Sequence, residues 1–227
     1  MALNASKVAS VGGGKAQELL DAGVYPGRLV QVLDLGLQAQ RPYQGQEKPP
    51  MQEIMLTYEL SDEFMKDDDG DDIEDKPRWV SETIPLHHLK AELAKSTKRY
   101  TALDPEGVFE GDFSQCLGIP VNITLVNNES KGKTYTNVAG LAPMRPKDAA
   151  RMPELVNEAK FFDLDSPDLD VLLKLPDWIQ TKIKENLNYE GSVLQGMLKG
   201  ALKKEEKKDK PAKKKEAAPI EDDDVPY

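Results

Sequence analysis

The chain has 227 residues, 39% hydrophobic and 31% charged, with a formal net charge of -10. That length suits one ordinary domain with appendages, or two small ones. No apolar run approaches a membrane span, the first residues lack the apolar stretch of a signal peptide, and the single cysteine, Cys116, rules out an intramolecular disulfide and fits a reducing cytoplasm.

Residues 1–22 open with Gly12-Gly13-Gly14 and read as a flexible N-terminal segment. From Tyr25 to Leu35 strand formers dominate, up to Gly36. The polar stretch from Leu37 to Pro50 is long enough to be functional or disordered. A second strand runs from Gln52 to Leu60, with Ile54, Leu56, Tyr58 and Leu60 on one face. Ser61 to Lys76 is an acidic excursion, expected as a solvated loop. The third strand covers Arg78 to Ile84, and Leu86 to Lys98 has helical spacing. Residues 105–118 are ambiguous. Val121 to Val126 and Thr134 to Ala139 form a hairpin around Asn127–Lys133.

The order β-β-β-α-β-β predicts a mainly β fold with some α: a five-stranded, partly open OB-fold barrel over residues 23–142. Residues 143–200 follow as a helical extension. Ser166-Pro167-Asp168 and Pro176 read as helix starts, and Phe161-Phe162 looks extended. Residues 201–227 are expected to be a disordered Lys-rich linker and acidic tail. Lys203 to Lys215 carries eight lysines against three acids, a net of +5, and residues 216–227 carry five acids and no base.

No catalytic or metal-binding constellation is present, so neither an enzyme nor a cofactor is expected. Gly12-Gly13-Gly14-Lys15 lacks the Ser/Thr and the first glycine of a phosphate loop. With Gly70 in the sixth place of an EF-hand loop, Met65 and Lys76 fall where carboxylates are required. His87 and His88 have no partner at ligand spacing. What remains is a binding pattern: cations that can follow phosphates, beside flat rings on which bases stack. The loop between strands one and two offers Arg41, Tyr43 and Lys48. Strand three offers Arg78 and Trp79. The helix end offers Lys95, Lys98, Arg99 and Tyr100, and the last hairpin offers Lys131, Lys133 and Tyr135. OB-folds bind on the face of strands two and three, between the 1–2 and 4–5 loops.

The chain ends in Asp222-Asp223-Asp224-Val225-Pro226-Tyr227. This is similar to the acidic tip of bacterial single-stranded DNA-binding proteins, Asp-Asp-Asp-Ile-Pro-Phe, with Val225 and Tyr227 replacing two apolar residues. The body resembles OB-fold single-stranded DNA-binding proteins of tailed bacteriophages. The segments that carry the likeness are Tyr25-Pro26-Gly27-Arg28, Gly36 to Pro42, Tyr58 to Phe64, Lys76-Pro77-Arg78-Trp79 and Lys95 to Tyr100. The resemblance implies sequence-nonspecific binding and protection of single-stranded DNA in phage replication and recombination, in the cytoplasm of the bacterial host. It adds Arg28 to the candidate DNA contacts. It implies recruitment of replication or recombination proteins through Asp222–Tyr227, and no membrane partner. The helical extension offers a surface for cooperative self-association on DNA. The alternative is a phage structural or adaptor protein whose barrel binds protein.

Overall fold

The computed structural model of the chain describes residues 19–208. The glycine-rich opening, the end of the Lys-rich segment and the acidic tail with Asp222–Tyr227 lie outside the described residues. The elements run β1 (Gly23–Gln38), β2 (Met51–Lys66), β3 (Asp72–Pro85), α1 (Lys95–Leu103), β4 (Pro120–Ser130) and β5 (Lys133–Pro143). Then follow α2 (Pro146–Ala149), β6 (Lys160–Phe162), α3 (Leu169–Leu173), α4 (Asp177–Lys184) and α5 (Val193–Lys208). A short 3-10 turn spans Phe113–Cys116. Helix α5 continues past residue 201, where the sequence placed the start of the linker.

The fold is mainly β, with one open sheet in the order β3-β2-β1-β4-β5. Neighbours along that path are antiparallel. The extended Phe161-Phe162 belongs to a sixth strand: β6 lies parallel to β1 along Gln31–Leu33, on the side β4 has left. The sequence suggests a partly open barrel; among the described residues the sheet is not closed, because β3 and β5 share no ladder.

Alternation explains which side each strand buries. Leu56, Tyr58 and Leu60 of β2 enter one core with Leu29 of β1, Ile84 of β3 and Val121, Ile123 and Leu125 of β4. Leu33, Leu35 and Met55 point to the opposite, outer face, where Phe162, Leu172, Ile179, Ile183 and Leu194 cover them in a second core. Burying each such side chain stabilises the fold by about 1.5–3 kcal/mol before entropy. The extension is also tied down by polar contacts. The Leu187 N–H donates to the Leu37 carbonyl at 2.8 Å. The Lys182 ammonium meets Glu53 at 2.7 Å.

Two local readings differ from the sequence expectation. The acidic excursion is not a loop but a hairpin arm, because β2 continues to Lys66 and β3 starts at Asp72. The helix begins only at Lys95. Before it, the His87 N–H donates to Ser96 Oγ and the Lys90 N–H to His88 Nδ1, side-chain contacts that hold the chain in turns. Leu93, read as part of the helix's apolar stripe, is 88% exposed.

Helix α1 fills the seam between β3 and β5, and Arg99 spans it. Its Nε donates to Glu82 Oε1 of β3 at 2.7 Å, and its Nη2 to Glu82 Oε2 at 3.1 Å. The same Nη2 donates to the Val138 and Ala139 carbonyls of β5, both at 3.2 Å. Tyr58 Oη donates to Glu82 at 3.1 Å, and the half-exposed Lys95 ammonium lies 2.8 Å away. Arg99 is 4% exposed. Removing one member of a buried charge pair strands the other, at about 3–5 kcal/mol, whereas an exposed pair contributes at most about 1 kcal/mol. Arg99→Met should therefore lower unfolding stability by about 3 kcal/mol in urea titration, and Lys95→Ala by less than about 1 kcal/mol.

Below the seam, Tyr100 Oη donates to Asp104 at 2.7 Å and accepts from the Gly111 N–H. Burial, reinforced by the Asp104 carboxylate, pushes the Tyr100 hydroxyl up to about 12. A folded value above the unfolded one near 10 gives a contribution that is complete below pH 10 and lost as pH rises toward 12. Tyr100→Phe should flatten the decline of unfolding stability across that alkaline window.

Candidate nucleic-acid interface

The outer face of β1, β2 and β3 carries a polar row between its apolar parts. Register aligns Lys160, Gln31, Thr57 and Ser81 across β6, β1, β2 and β3. Gln31 Nε2 donates to Thr57 Oγ1 at 3.2 Å, and Thr57 Oγ1 lies 3.0 Å from Ser81 Oγ. One row on, Glu59 of β2 faces Trp79 of β3.

Glu59 is 4% exposed and satisfies four donors. They are the Trp79 indole N–H at 3.1 Å, the Val156 N–H at 2.7 Å, the Asn157 N–H at 3.2 Å and Asn157 Nδ2 at 2.7 Å. The carboxylate thus pins the connection between α2 and β6 over β2 and fixes the indole's orientation. Arg28 anchors the same connection from β1. Its guanidinium donates to the carbonyls of Gly118, Met152 and Pro153 and lies 3.7 Å from Glu154.

This strap, with α3, α4 and α5, covers the outer face of β1 and β2. Among the described residues, only the outer side of β3 stays open, with Trp79, Ser81 and Thr83 exposed. Trp79 is 37% exposed, and the Lys160 ammonium sits 5.8 Å from its ring centroid. Lys160 was not a sequence candidate, since nothing local to it points toward Trp79.

Two hairpin tips flank this open strip. At the tip between β1 and β2, Tyr43 and Gln46 bridge around Gln44 and Gly45, which have φ of 52° and 77°. At the tip between β4 and β5, Lys131 and Gly132 have φ of 51° and 72°. Positive φ at both central positions is the type I′ geometry, which favours glycine at the second. The first tip holds Lys48 4.9 Å over the Tyr43 ring, with Arg41 exposed nearby in sequence. The second carries Lys131, Lys133 and Tyr135, all exposed. β4 runs antiparallel to β1 and passes its start, so the two tips lie at opposite ends of the sheet. The acidic β2–β3 arm shares the end of the β4–β5 tip.

The sequence candidates therefore do not form one cluster. Arg41, Tyr43 and Lys48 occupy one end, Lys131, Lys133 and Tyr135 the other, and Trp79 lies on β3 between them. Lys95 and Lys98 are exposed on α1 at the seam. Four candidates lie away from the open face. Arg99 and Tyr100 are buried in the seam, and Arg28 is saturated by backbone carbonyls. Arg78 is half-buried and shares the inward side of β3 with Val80 and Glu82, away from Trp79.

No protein-family model and no curated protein sequence matches this chain. Among the described residues, no three His, Cys, Asp or Glu side chains are grouped to hold a metal ion, and no helix is long and apolar enough to cross a membrane.

Removing the Glu59 carboxylate leaves three strap donors without their acceptor, at about 1–3 kcal/mol each where they stay buried. Glu59→Ala should speed amide hydrogen exchange at Val156 and Asn157 and redden Trp79 emission. Exchange at the Tyr58 amide, which sits in the β-ladder, should change far less.

Proposed function

We propose that this chain binds single-stranded DNA without sequence preference, on an open OB-type barrel. In this reading it is a bacteriophage single-stranded DNA-binding protein that coats DNA during replication and recombination in the bacterial host cytoplasm. Its acidic tip, Asp222–Tyr227, recruits replication or recombination proteins.

The observation that carries the reading is the open Trp79 surface on β3, with Lys160 at its ring, between two hairpin tips that each combine lysine with a tyrosine. A lysine near a ring supplies a phosphate contact next to a stacking face, the pairing that sequence-independent strand binding requires. The fold lends support through its element order and through the long strand β1, which pairs with both β2 and β4.

Anisotropy of labelled oligo-dT at two salt concentrations tests the proposal. Affinity should fall as salt rises, because phosphate contacts release counterions. Trp79→Ala should weaken binding about tenfold, in line with about 1–3 kcal/mol for one stacked base. The double change Lys131→Ala and Lys133→Ala should reduce the log–log salt slope by about 1.4, at about 0.7 per contact. No binding in dilute buffer, or an affinity indifferent to salt, would contradict the reading.

A further inference from the structure

A cleft of about 290 Å³ opens at the root of the β2–β3 arm, apart from the exposed face of Trp79. Phe64, Leu155 and Val156 give it apolar walls, and Glu74 and Glu154 stand at it as exposed acids. Its two buried charges, Arg28 and Glu59, are already satisfied by the strap. The cleft therefore offers apolar surface under a negative rim. The arm above it deepens that field: residues 61–76 hold nine acids against two lysines. Such a site rejects nucleic acid, and it rejects the chain's own Asp222–Asp224. It suits a segment in which lysines stand next to small apolar residues.

The chain carries one such segment beyond the described residues. Lys210, Lys213, Lys214 and Lys215 are followed by Ala217-Ala218-Pro219-Ile220, with Glu216 between them. Its reach is sufficient. Helix α5 packs at Leu194 into the outer core that also holds Met55, and the cleft lies by Glu59, four residues along β2 from Met55. That is about 13 Å of strand. From Leu194 to Lys208 the helix adds about 21 Å. Nine extended residues from Lys208 to Ala217 cover about 30 Å and twelve to Ile220 about 40 Å, so the segment reaches the cleft unless α5 points almost straight away from it.

We propose that residues 210–220 dock on their own molecule, with the lysines against the acidic β2–β3 arm and Ala217–Ile220 in the cleft. The tether supplies an effective concentration of about millimolar, so even weak docking is populated. Docking draws the lysines away from the Trp79 face. It also leaves Asp222–Tyr227 projecting from an acidic surface that repels it.

Zero-length carbodiimide cross-linking of the full chain in dilute buffer, without nucleic acid, tests this by mass spectrometry of the monomer band. Lys210 or Lys213–Lys215 should join Glu74, Glu154 or the arm carboxylates. The links should vanish near about 1 M salt, where screening shortens to about 3 Å. Glu74→Lys with Glu154→Lys should cut the remaining arm links about threefold, as exposed charge pairs do. Ile220→Ser should lower them as well. Three results would overturn the proposal: lysine links confined to Glu221–Asp224, a yield unchanged by salt, or links found only in a dimer band, which would make a second copy the occupant. Because no nucleic acid is present, failure here and failure of the DNA reading are separate outcomes.

Discussion

A buried guanidinium stands where two strands would otherwise pair. β3 and β5 approach each other without a ladder, α1 lies between them, and Arg99 joins a β3 carboxylate to two β5 carbonyls. In low-dielectric surroundings such a pair holds only if every partner is satisfied. Glu82 meets that condition with Arg99, Tyr58 and Lys95. The bridge sets α1 across the seam, with Lys95 and Lys98 exposed on its outer side. Its chemistry also removes Arg99 from any role on the surface.

The outer face is organised by a second buried carboxylate. Glu59 holds the strap and the Trp79 indole together, so the segment covering β2 also orients the ring left open on β3. The extension is consequently part of the candidate interface. It hides the β1 and β2 part of the expected face, restricts access to β3, and contributes Lys160. A ring held at its N–H and left open on its face is well prepared for stacking, since little orientational freedom is lost on contact.

Much of the sheet was legible because its signal is local. Ile54, Leu56, Tyr58 and Leu60 alternate, as do Val121, Ile123 and Leu125; burial follows the alternation in β4, whereas every residue from Ile54 to Leu60 is buried because the outer face of β2 is covered as well. The N-cap of α3 was also nearly readable: Asp168 accepts from the Asp170 and Val171 N–H groups, one position after Pro167. The seam had a signal that composition masked. Glu82 sits between Val80 and Ile84 on the inward side of its strand, and an acid there requires a partner. Arg99 shares a helical face with Ser96, Tyr100 and Leu103, the buried face of α1. Periodicity thus separates Arg99 from Lys95 and Lys98, although all three read alike as cations. Other features had no local signal. Lys160 reaches Trp79 across 81 residues of chain, and the extended Phe161-Phe162 carries no sign that it pairs with β1. Arg28 is held by carbonyls of Gly118, Met152 and Pro153, whose direction only the folded chain sets.

The central claim is that an unpaired strand lies on the open face of Trp79. The chain has two tryptophans, so Trp178→Phe leaves Trp79 as the sole indole reporter. Titrating that variant with oligo-dT in dilute buffer should quench its emission to saturation, and added salt should restore it. Emission that stays constant through a saturating excess of oligo-dT would contradict the claim.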